Sequence, residues 1–368
     1  MSRNSVFVLI TILLTGLACS PVNATVASSP SVEPSQIAVE AISAESSVPT
    51  AYISFIINTH DIVHPDESAD TIIQLIDLFE RHDVRGDFYL TAPQVHLYAE
   101  QRPDVIDRLR ESEMTISYHI RPPHPVYSGF DDRLDGLDDT KLAETLREYE
   151  TYRLEMTTGD LIYDEPGGYS YVADVFGREP VVVSLPNERY RSQGLPIFEE
   201  LGAQMTVTYH ESGTDPENSF EWRNGLLIRP SDFSVTRWPS PENLENSPFW
   251  WNMLNTPIAD YYNPTSYLQS QLEDWEGARA PFITVLIHEN NFFRRGGTPF
   301  TFIYWADKDK TQPLSPPFEL DAPDGSQPRS PENIAAIWAA YEEIVAYAAE
   351  HLSVVTSKDI VSMAETGQ

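Results

Sequence analysis

The sequence is poor in basic residues and contains a single cysteine. Its 368 residues include 24 Lys and Arg but 56 Asp and Glu, which gives a formal net charge of −32 at pH 7. A surface of this charge repels the phosphates of nucleic acids and of anionic membranes, so we exclude both as partners. Because Cys19 is the only cysteine, no disulfide can form within the chain.

The chain also lacks the short motifs of several large enzyme classes. It has no glycine-rich phosphate loop, no Gly-x-Gly-x-x-Gly after a predicted strand and no Gly-x-Ser-x-Gly nucleophile turn. These absences argue against nucleotide-dependent enzymes and against serine hydrolases.

The N-terminal segment has the pattern of an export signal. The apolar run 6–14 has the length of a signal-peptide core and is too short to span a membrane. We predict a signal peptide over 1–24. Cys19 lies in a Thr-Gly-Leu-Ala-Cys sequence that resembles a bacterial lipoprotein cleavage box, and cleavage after Ala24 is the alternative. Either way we expect export, as a periplasmic protein or a membrane-anchored lipoprotein, with a flexible linker at 25–50.

Past residue 50, strand-like and helix-like segments alternate to the end of the chain. With 41% hydrophobic residues, the chain can bury a sizeable core. Repeated strand–helix units predict an α/β fold, a (β/α)7-type distorted barrel of parallel strands, as a single domain over 51–368. Loop insertions are predicted near 231–265 and 296–329. The predicted strands are 52–58, 86–91, 114–118, 180–185, 205–209, 225–228, 282–287 and 353–356.

Titratable side chains follow three of these predicted strands. The segment 117–125 holds His119 and His124, with prolines between them that make it a stiff loop. Asp61 follows the first strand, and His288 follows a late one. The loops after the strands of a parallel barrel lie at one face, so we expect these groups to meet there. One carboxylate and two imidazoles suit a divalent metal with open positions for water and substrate.

Taken in order, these motifs resemble those of the polysaccharide deacetylases, carbohydrate esterase family 4. That family has a strand ending in Thr-Phe-Asp-Asp, and this chain has Asn-Thr-His-Asp at 58–61. The family's His-(Ser/Thr)-x-x-His pair is matched by His119 and His124, and its Leu-x-His motif by Leu-Ile-His288. The resemblance runs from about residue 52 to residue 356.

The resemblance implies a role for each of these residues. Asp61, His119 and His124 would hold a divalent metal, which we expect to be zinc, and His288 would be the general acid that protonates the leaving amine. His60 stands where the family has its general base, and a neutral imidazole can serve as a base near pH 7. The predicted reaction is deacetylation of an N-acetylated polysaccharide or amino sugar by a metal-bound water.

Departures from the family pattern leave other hypotheses open. The two histidines of the pair are five residues apart rather than four, and His60 replaces a carboxylate. His60 is then the base or a further ligand, or the base comes from elsewhere, with Asp66 and Glu67 within a few residues. One alternative function is a catalytically silent carbohydrate-binding barrel, and another is an O-acetyl esterase. Each hypothesis has a saccharide as its partner, and no protein partner is predicted.

Overall fold

The computed structural model describes residues 51–208, 213–214, 220–235 and 263–367. The predicted signal peptide 1–24 and linker 25–50 lie outside these residues, as does most of the predicted insertion near 231–265. Within the described ranges, no helix is long and apolar enough to cross a membrane.

Five of the ten α-helices in the described ranges begin at a capping side chain, and Asp138 is one of these caps. Thr91, Asn263, Ser330 and Thr356 each accept a backbone N–H with the side chain, which satisfies one donor of the first helical turn. The α-helices are α1 (Pro65–Arg81), α2 (Ala92–Gln101), α3 (Pro103–Glu111), α4 (Asp139–Tyr149), α5 (Gly168–Phe176), α6 (Arg191–Glu200), α7 (Pro264–Glu273), α8 (Thr301–Tyr304), α9 (Pro331–His351) and α10 (Ser357–Thr366).

Most strands of the described ranges belong to one sheet, and the others form two short antiparallel pairs. The strands are β1 (Tyr52–Asn58), β2 (Asp87–Leu90), β3 (Thr115–His119), β4 (Tyr152–Leu154), β5 (Leu161–Pro166), β6 (Val182–Ser184), β7 (Met205–Thr206), β8 (Trp222–Arg223), β9 (Leu226–Ile228), β10 (Phe233–Ser234), β11 (Phe282–His288), β12 (Arg294–Arg295), β13 (Gln327–Pro328) and β14 (Ser353–Val354).

The main sheet is mostly parallel. Its order is β10-β11-β1-β2-β3-β6-β7-β9-β8, and β14 pairs with the start of β1 beside β2. Every neighbouring pair along this path is parallel except β9 with β8. The predicted fold class is confirmed: the sheet curls into a partial barrel flanked by helices, in a single domain. Each of the eight predicted strands is present.

Strand β1 is buried on both faces, as its apolar sequence predicts. Ile53, Phe55 and Ile57 point into the layer between the sheet and the outer helices, where Phe55 packs against Phe79 with ring centroids 5.6 Å apart. Ile56 points to the opposite face and packs in a second cluster inside the curl of the sheet. Side chains that alternate between two buried faces hold the strand, and therefore its carboxyl end, in a fixed place.

A buried cation crosses the interior of the curl. Arg229, 3% exposed, donates to Tyr89 Oη at 2.6 Å, to Ser54 Oγ at 2.7 Å and to Ser357 Oγ at 2.8 Å. Its Nη2 lies 3.7 Å from the carboxylate of Asp87, which is fully buried. This network joins the end of β9 to β1, β2 and the start of α10.

The segment 296–329, predicted as an insertion, packs beside the carboxyl end of the sheet. Phe300, Trp305 and Phe318 form an apolar cluster with Phe130, whose ring centroid lies 5.4 Å from that of Trp305. This cluster gives the segment a fixed structure of its own. It also brings Phe300 against the loop that follows β1, as described below.

Candidate active site

Three parallel strands deliver histidines to one edge of the sheet. His60 lies two residues past the end of β1, His119 ends β3 and His288 ends β11. In the register of β1 and β11, Asn58 is directly opposite His288. The edge predicted from the sequence therefore brings His60, His119 and His288 together, and we call them the histidine cluster.

The histidine cluster is buried and closely packed. None of its members is more than 8% exposed. The ring centroid of His60 lies 4.6 Å from that of His288 and 6.2 Å from that of His119. The edge of Phe300 closes the cluster on one side, with its centroid 5.3 Å from that of His60.

Arg121 connects two members of the cluster. Its Nε donates to Nδ1 of His60 at 2.9 Å, and its Nη2 lies 3.4 Å from Nε2 of His288. A neutral imidazole has one donor and one acceptor nitrogen, so an accepting Nδ1 places the ring proton of His60 on Nε2. In this arrangement His60 is a hydrogen-bond donor toward the site. The predicted role of His60 as a base stays a prediction that requires Arg121 to release Nδ1.

The electrostatic environment keeps the three imidazoles neutral. Burial, followed by the charge of Arg121, lowers the pKa of His60 and that of His119 well below the usual value. Burial and the charges of Arg121 and Lys310 lower the pKa of His288 to about 3. Near pH 7 these rings are therefore proton acceptors or neutral donors rather than cations.

His119 differs from the other two rings because no described residue forms a hydrogen bond with it. Both of its ring nitrogens are buried and unpaired among the described residues. A cavity of about 60 Å³ lies beside it, lined also by Arg121 and His124. A polar cavity of this size accommodates water, so His119 is the ring of the cluster that is open to a water molecule.

Asp61, predicted as a metal ligand, is fully buried and turned toward its own loop. Its Oδ1 accepts the backbone N–H groups of Val63 at 2.9 Å and His64 at 3.0 Å. Its Oδ2 lies 3.1 Å from Nδ1 of His64. These contacts give the carboxylate the geometry of a turn-forming group.

A second buried carboxylate lies beneath this loop. Oε1 of Glu289 accepts the backbone N–H groups of His60 and Asp61, both at 2.6 Å, and is also within 3.3 Å of Ser68 Oγ and Gln94 Nε2. Burial, opposed by these hydrogen bonds, raises the pKa of Glu289 to about 7. Glu289 therefore fixes the path of the backbone that carries His60.

His124 lines the same cavity as His119, but its polar contacts are with residues outside the histidine cluster. Its Nδ1 accepts the backbone N–H of Val126 at 3.2 Å, and its Nε2 lies 3.1 Å from Oε1 of Glu150 without forming a hydrogen bond to any described residue. The other oxygen of Glu150 accepts the backbone N–H of Tyr169 at the start of α5. Glu150 is 2% exposed and thus ties the loop after β3 to α5.

The predicted ligand set does not fit a metal ion in this arrangement. The oxygens of Asp61 face donors of their own turn, and Nδ1 of His124 accepts a backbone N–H while its Nε2 lies 3.1 Å from a carboxylate oxygen of Glu150. Within the described ranges, only His119 of the predicted set has both ring nitrogens without a hydrogen-bond partner. Across the described ranges, no group of three or more His, Cys, Asp and Glu side chains is arranged to hold a metal. The set Asp61, His119 and His124 therefore stays a prediction.

This geometry predicts that His124 makes no contribution to zinc binding. We expect the full chain and its His124→Ala variant to retain the same amount of zinc after dialysis, measured by elemental analysis. His351→Ala, which changes an exposed histidine on α9, is the matched control. Loss of zinc from His124→Ala but not from His351→Ala would reinstate the predicted ligand set.

Four residues of the site were not predicted as site residues. Arg121 lies between two predicted histidines and Glu289 directly follows a third, so position in the sequence was a usable signal for both. Glu150, at the end of α4, and Lys310, within the segment 296–329, carry no local signal. Both reach the site only through tertiary packing.

Comparison with known proteins gives matches among solved structures alone. No family model matches the chain, and no curated protein matches it. A candidate polysaccharide deacetylase from Mycobacterium smegmatis is similar over 88% of this chain and 92% of its own, at 12% identity and a TM-score of 0.47. A 4-alpha-glucanotransferase from Thermococcus litoralis is similar over 85% of this chain and 40% of its own, at 11% identity and a TM-score of 0.46. A CE4 family pseudoenzyme from Bacillus anthracis is similar over 85% of this chain and 66% of its own, at 8% identity and a TM-score of 0.38.

Proposed function

We propose that this chain is a hydrolase that removes the acyl group from an N-acylated polysaccharide or amino sugar. The observation that carries the proposal is the convergence of three buried, neutral imidazoles and Arg121 at the carboxyl edge of the sheet. The reaction type follows from what these groups can do. The saccharide substrate is supported by the resemblance of the strand-end motifs.

In this proposal His119 activates the water. Its unpaired ring nitrogens border the cavity of about 60 Å³, so one of them can accept a proton from a water held there. The hydroxide oxygen then forms a bond to the acyl carbon, and the carbonyl oxygen takes up the negative charge. Burial strengthens the hydrogen bond between His119 and this water, because few other water molecules compete for the imidazole.

His60 and Arg121 stabilise the oxyanion that forms. The Nε2 proton of His60 is free to donate, since Nδ1 already accepts from Arg121 at 2.9 Å. The positive charge of Arg121 polarises the imidazole of His60 through this hydrogen bond, and the polarised ring is a stronger donor. A donor fixed in a site that excludes water is worth about 2.7–4 kcal/mol to such a transition state.

The proton taken from water is returned to the leaving nitrogen. The carbon–nitrogen bond breaks as that nitrogen gains a proton, so the count of protons on the protein is unchanged over the cycle. His288, predicted as the acid, has a pKa of about 3 in the absence of substrate and so has no proton to give near pH 7. The negative charge of the tetrahedral intermediate would raise this pKa, which allows His288 to relay the proton.

The experiment is a direct assay of acetate release by the full chain. We expect release from N-acetylated chitin oligosaccharides above the rate in buffer, and slower release from O-acetylated xylan oligosaccharides. Faster release from the O-acetyl substrate would identify an esterase. Absence of acetate from both substrates would sink the proposal.

One observation favours a catalytically silent binding barrel as the second candidate. His60 replaces a carboxylate, and its Nδ1 is occupied by Arg121 in this arrangement. A silent barrel would bind the same oligosaccharides and release no acetate. Binding measured by calorimetry beside the acetate assay therefore separates the two candidates.

Export remains a proposal, because the segment 1–24 lies outside the described residues. We propose a lipoprotein anchored through Cys19, with cleavage after Ala24 as the soluble alternative. The mass and N-terminal sequence of the mature protein, recovered from a bacterial host, distinguish them.

A further inference from the structure

Two cations near the histidine cluster have no acidic partner in the part of the chain that the structure describes, although the chain carries a net charge of −32. Most arginines of the described ranges pair with carboxylates, as Arg102 does with three aspartates. Arg121 instead contacts the rings of His60 and His288. Lys310 donates to Thr298 Oγ1 at 2.7 Å, and no ion pair within 4 Å is found for either cation among the described residues.

The loop of residues 307–312 holds Lys310 beside the histidine cluster. Its Nζ lies over two aromatic rings, 5.6 Å from the centroid of Phe300 and 5.2 Å from that of Trp305. Phe300 also contacts His60, so the ammonium and the imidazole share one aromatic neighbour. Asp307 shapes the turn by accepting the backbone N–H groups of residues 309, 311 and 312.

Arg121 and Lys310 also influence each other electrostatically. Burial and the charge of Arg121 lower the pKa of Lys310 to about 8, so the two positive groups repel each other. The same two charges lower the pKa of His288. Burying like charges together is costly unless an opposite charge offsets them. Among the described residues, no carboxylate lies within 4 Å of either cation, which leaves room there for an anionic ligand.

We propose that the substrate is an acidic saccharide whose carboxylate or sulfate group is held between Arg121 and Lys310, beside the histidine cluster. The two cations then set substrate specificity, and a neutral saccharide leaves them uncompensated. The inference rests on the proposed function for the reaction but not for binding, because an anion site selects acidic saccharides whether or not hydrolysis follows.

The test compares ligands that differ only in charge. Calorimetry with the full chain would measure binding of a hyaluronan tetrasaccharide, which alternates N-acetylglucosamine with glucuronate, and of the same tetrasaccharide with its carboxylates reduced to alcohols. We expect about tenfold tighter binding of the charged form, or about 1.4 kcal/mol. A 6-sulfated N-acetylglucosamine oligomer shows whether sulfate replaces carboxylate.

Two lysine variants locate the effect. Lys310→Met keeps an unbranched side chain over the aromatic rings but removes the charge, and it should abolish most of the preference for the charged ligand. Lys308→Met removes an exposed charge from the same loop and should retain the preference. Preserved preference in Lys310→Met, or equal loss in both variants, would refute the assignment.

The remaining outcomes are also decisive. Equal binding of the charged and reduced tetrasaccharides overturns the proposal, as does inorganic sulfate binding as tightly as the sugars, which would mean an adventitious ion only. Selective binding of the acidic sugar without acetate release keeps this inference and rejects the deacetylase. Acetate release without charge preference does the reverse.

Discussion

Replacing His119 by asparagine is expected to lower kcat/KM for acyl hydrolysis by about 10²–10⁴, the usual contribution of a general base. Asparagine retains polarity at the end of β3 but cannot take a proton from water. Because both ring nitrogens of His119 are unpaired, the substitution breaks no hydrogen bond of the described structure. The dissociation constant for a saccharide substrate should therefore change little while kcat falls.

His96 supplies the matched control. It lines the same cavity, but Nε2 lies 3.1 Å from the carbonyl oxygen of Pro166 and the ring stacks on Tyr171 with centroids 3.8 Å apart. His96→Asn should retain activity close to that of the unaltered chain. Equal loss in the two variants would show that the cavity wall matters and that His119 is not the base. Thermal unfolding of both variants checks that each is folded.

Replacing Arg229 by methionine is expected to destabilise the fold by about 3–5 kcal/mol, because the buried groups that remain lose their partner. The change removes hydrogen bonds to three hydroxyl groups and the positive charge that lies 3.7 Å from the carboxylate of Asp87. Urea unfolding followed by tryptophan fluorescence measures the effect. Arg85→Met, which breaks a partly exposed pair with Asp359, should cost at most about 1 kcal/mol.

The loss in free energy of unfolding caused by Arg229→Met should depend on pH. Burial raises the pKa of Asp87 from 3.8 to about 6, even though Arg229 opposes the shift. A raised pKa means that the stability contributed by protonated Asp87 is fully present below about pH 4 and is lost as pH rises through 6. At pH 4 Asp87 is neutral with or without Arg229, so the loss of stability is smallest there and comes from the three hydroxyl contacts; it grows toward pH 8 as Asp87 ionises. A loss independent of pH would show that the hydroxyl contacts, rather than the ion pair, carry the effect.

Local patterns predicted the sheet well because its central strands are short and buried, and β1 and β11 are mostly apolar. β1, β3 and β11 are buried on both faces, so their sequences stand out from the polar loops around them. The hairpin of β4 and β5 was missed because its residues are mostly half-exposed and show no continuous apolar run. Helix α6 was also missed, and it contains Pro196 in its interior, which is unfavourable for a helix.

The candidate site was predicted in its position but not in the orientation of its side chains. The parallel-sheet rule correctly brings His60, His119 and His288 to one edge. The orientation of His124 depends on Glu150, which is 26 residues further along the chain and has no recognisable motif. Helix α2, by contrast, had a usable signal, since Thr91 caps it and a proline lies in its first turn.

The pairing of β1 with β11 also determines when the site can form during synthesis. Asn58 and His288 are in contact although 230 residues separate them in the sequence. A ribosome has therefore made most of the polypeptide before the histidine cluster can assemble. Contacts of this sequence separation form slowly, because a long loop must close first. Any product terminated before residue 282 lacks both His288 and the whole of β11, so the chain acquires both its fold and its chemistry late.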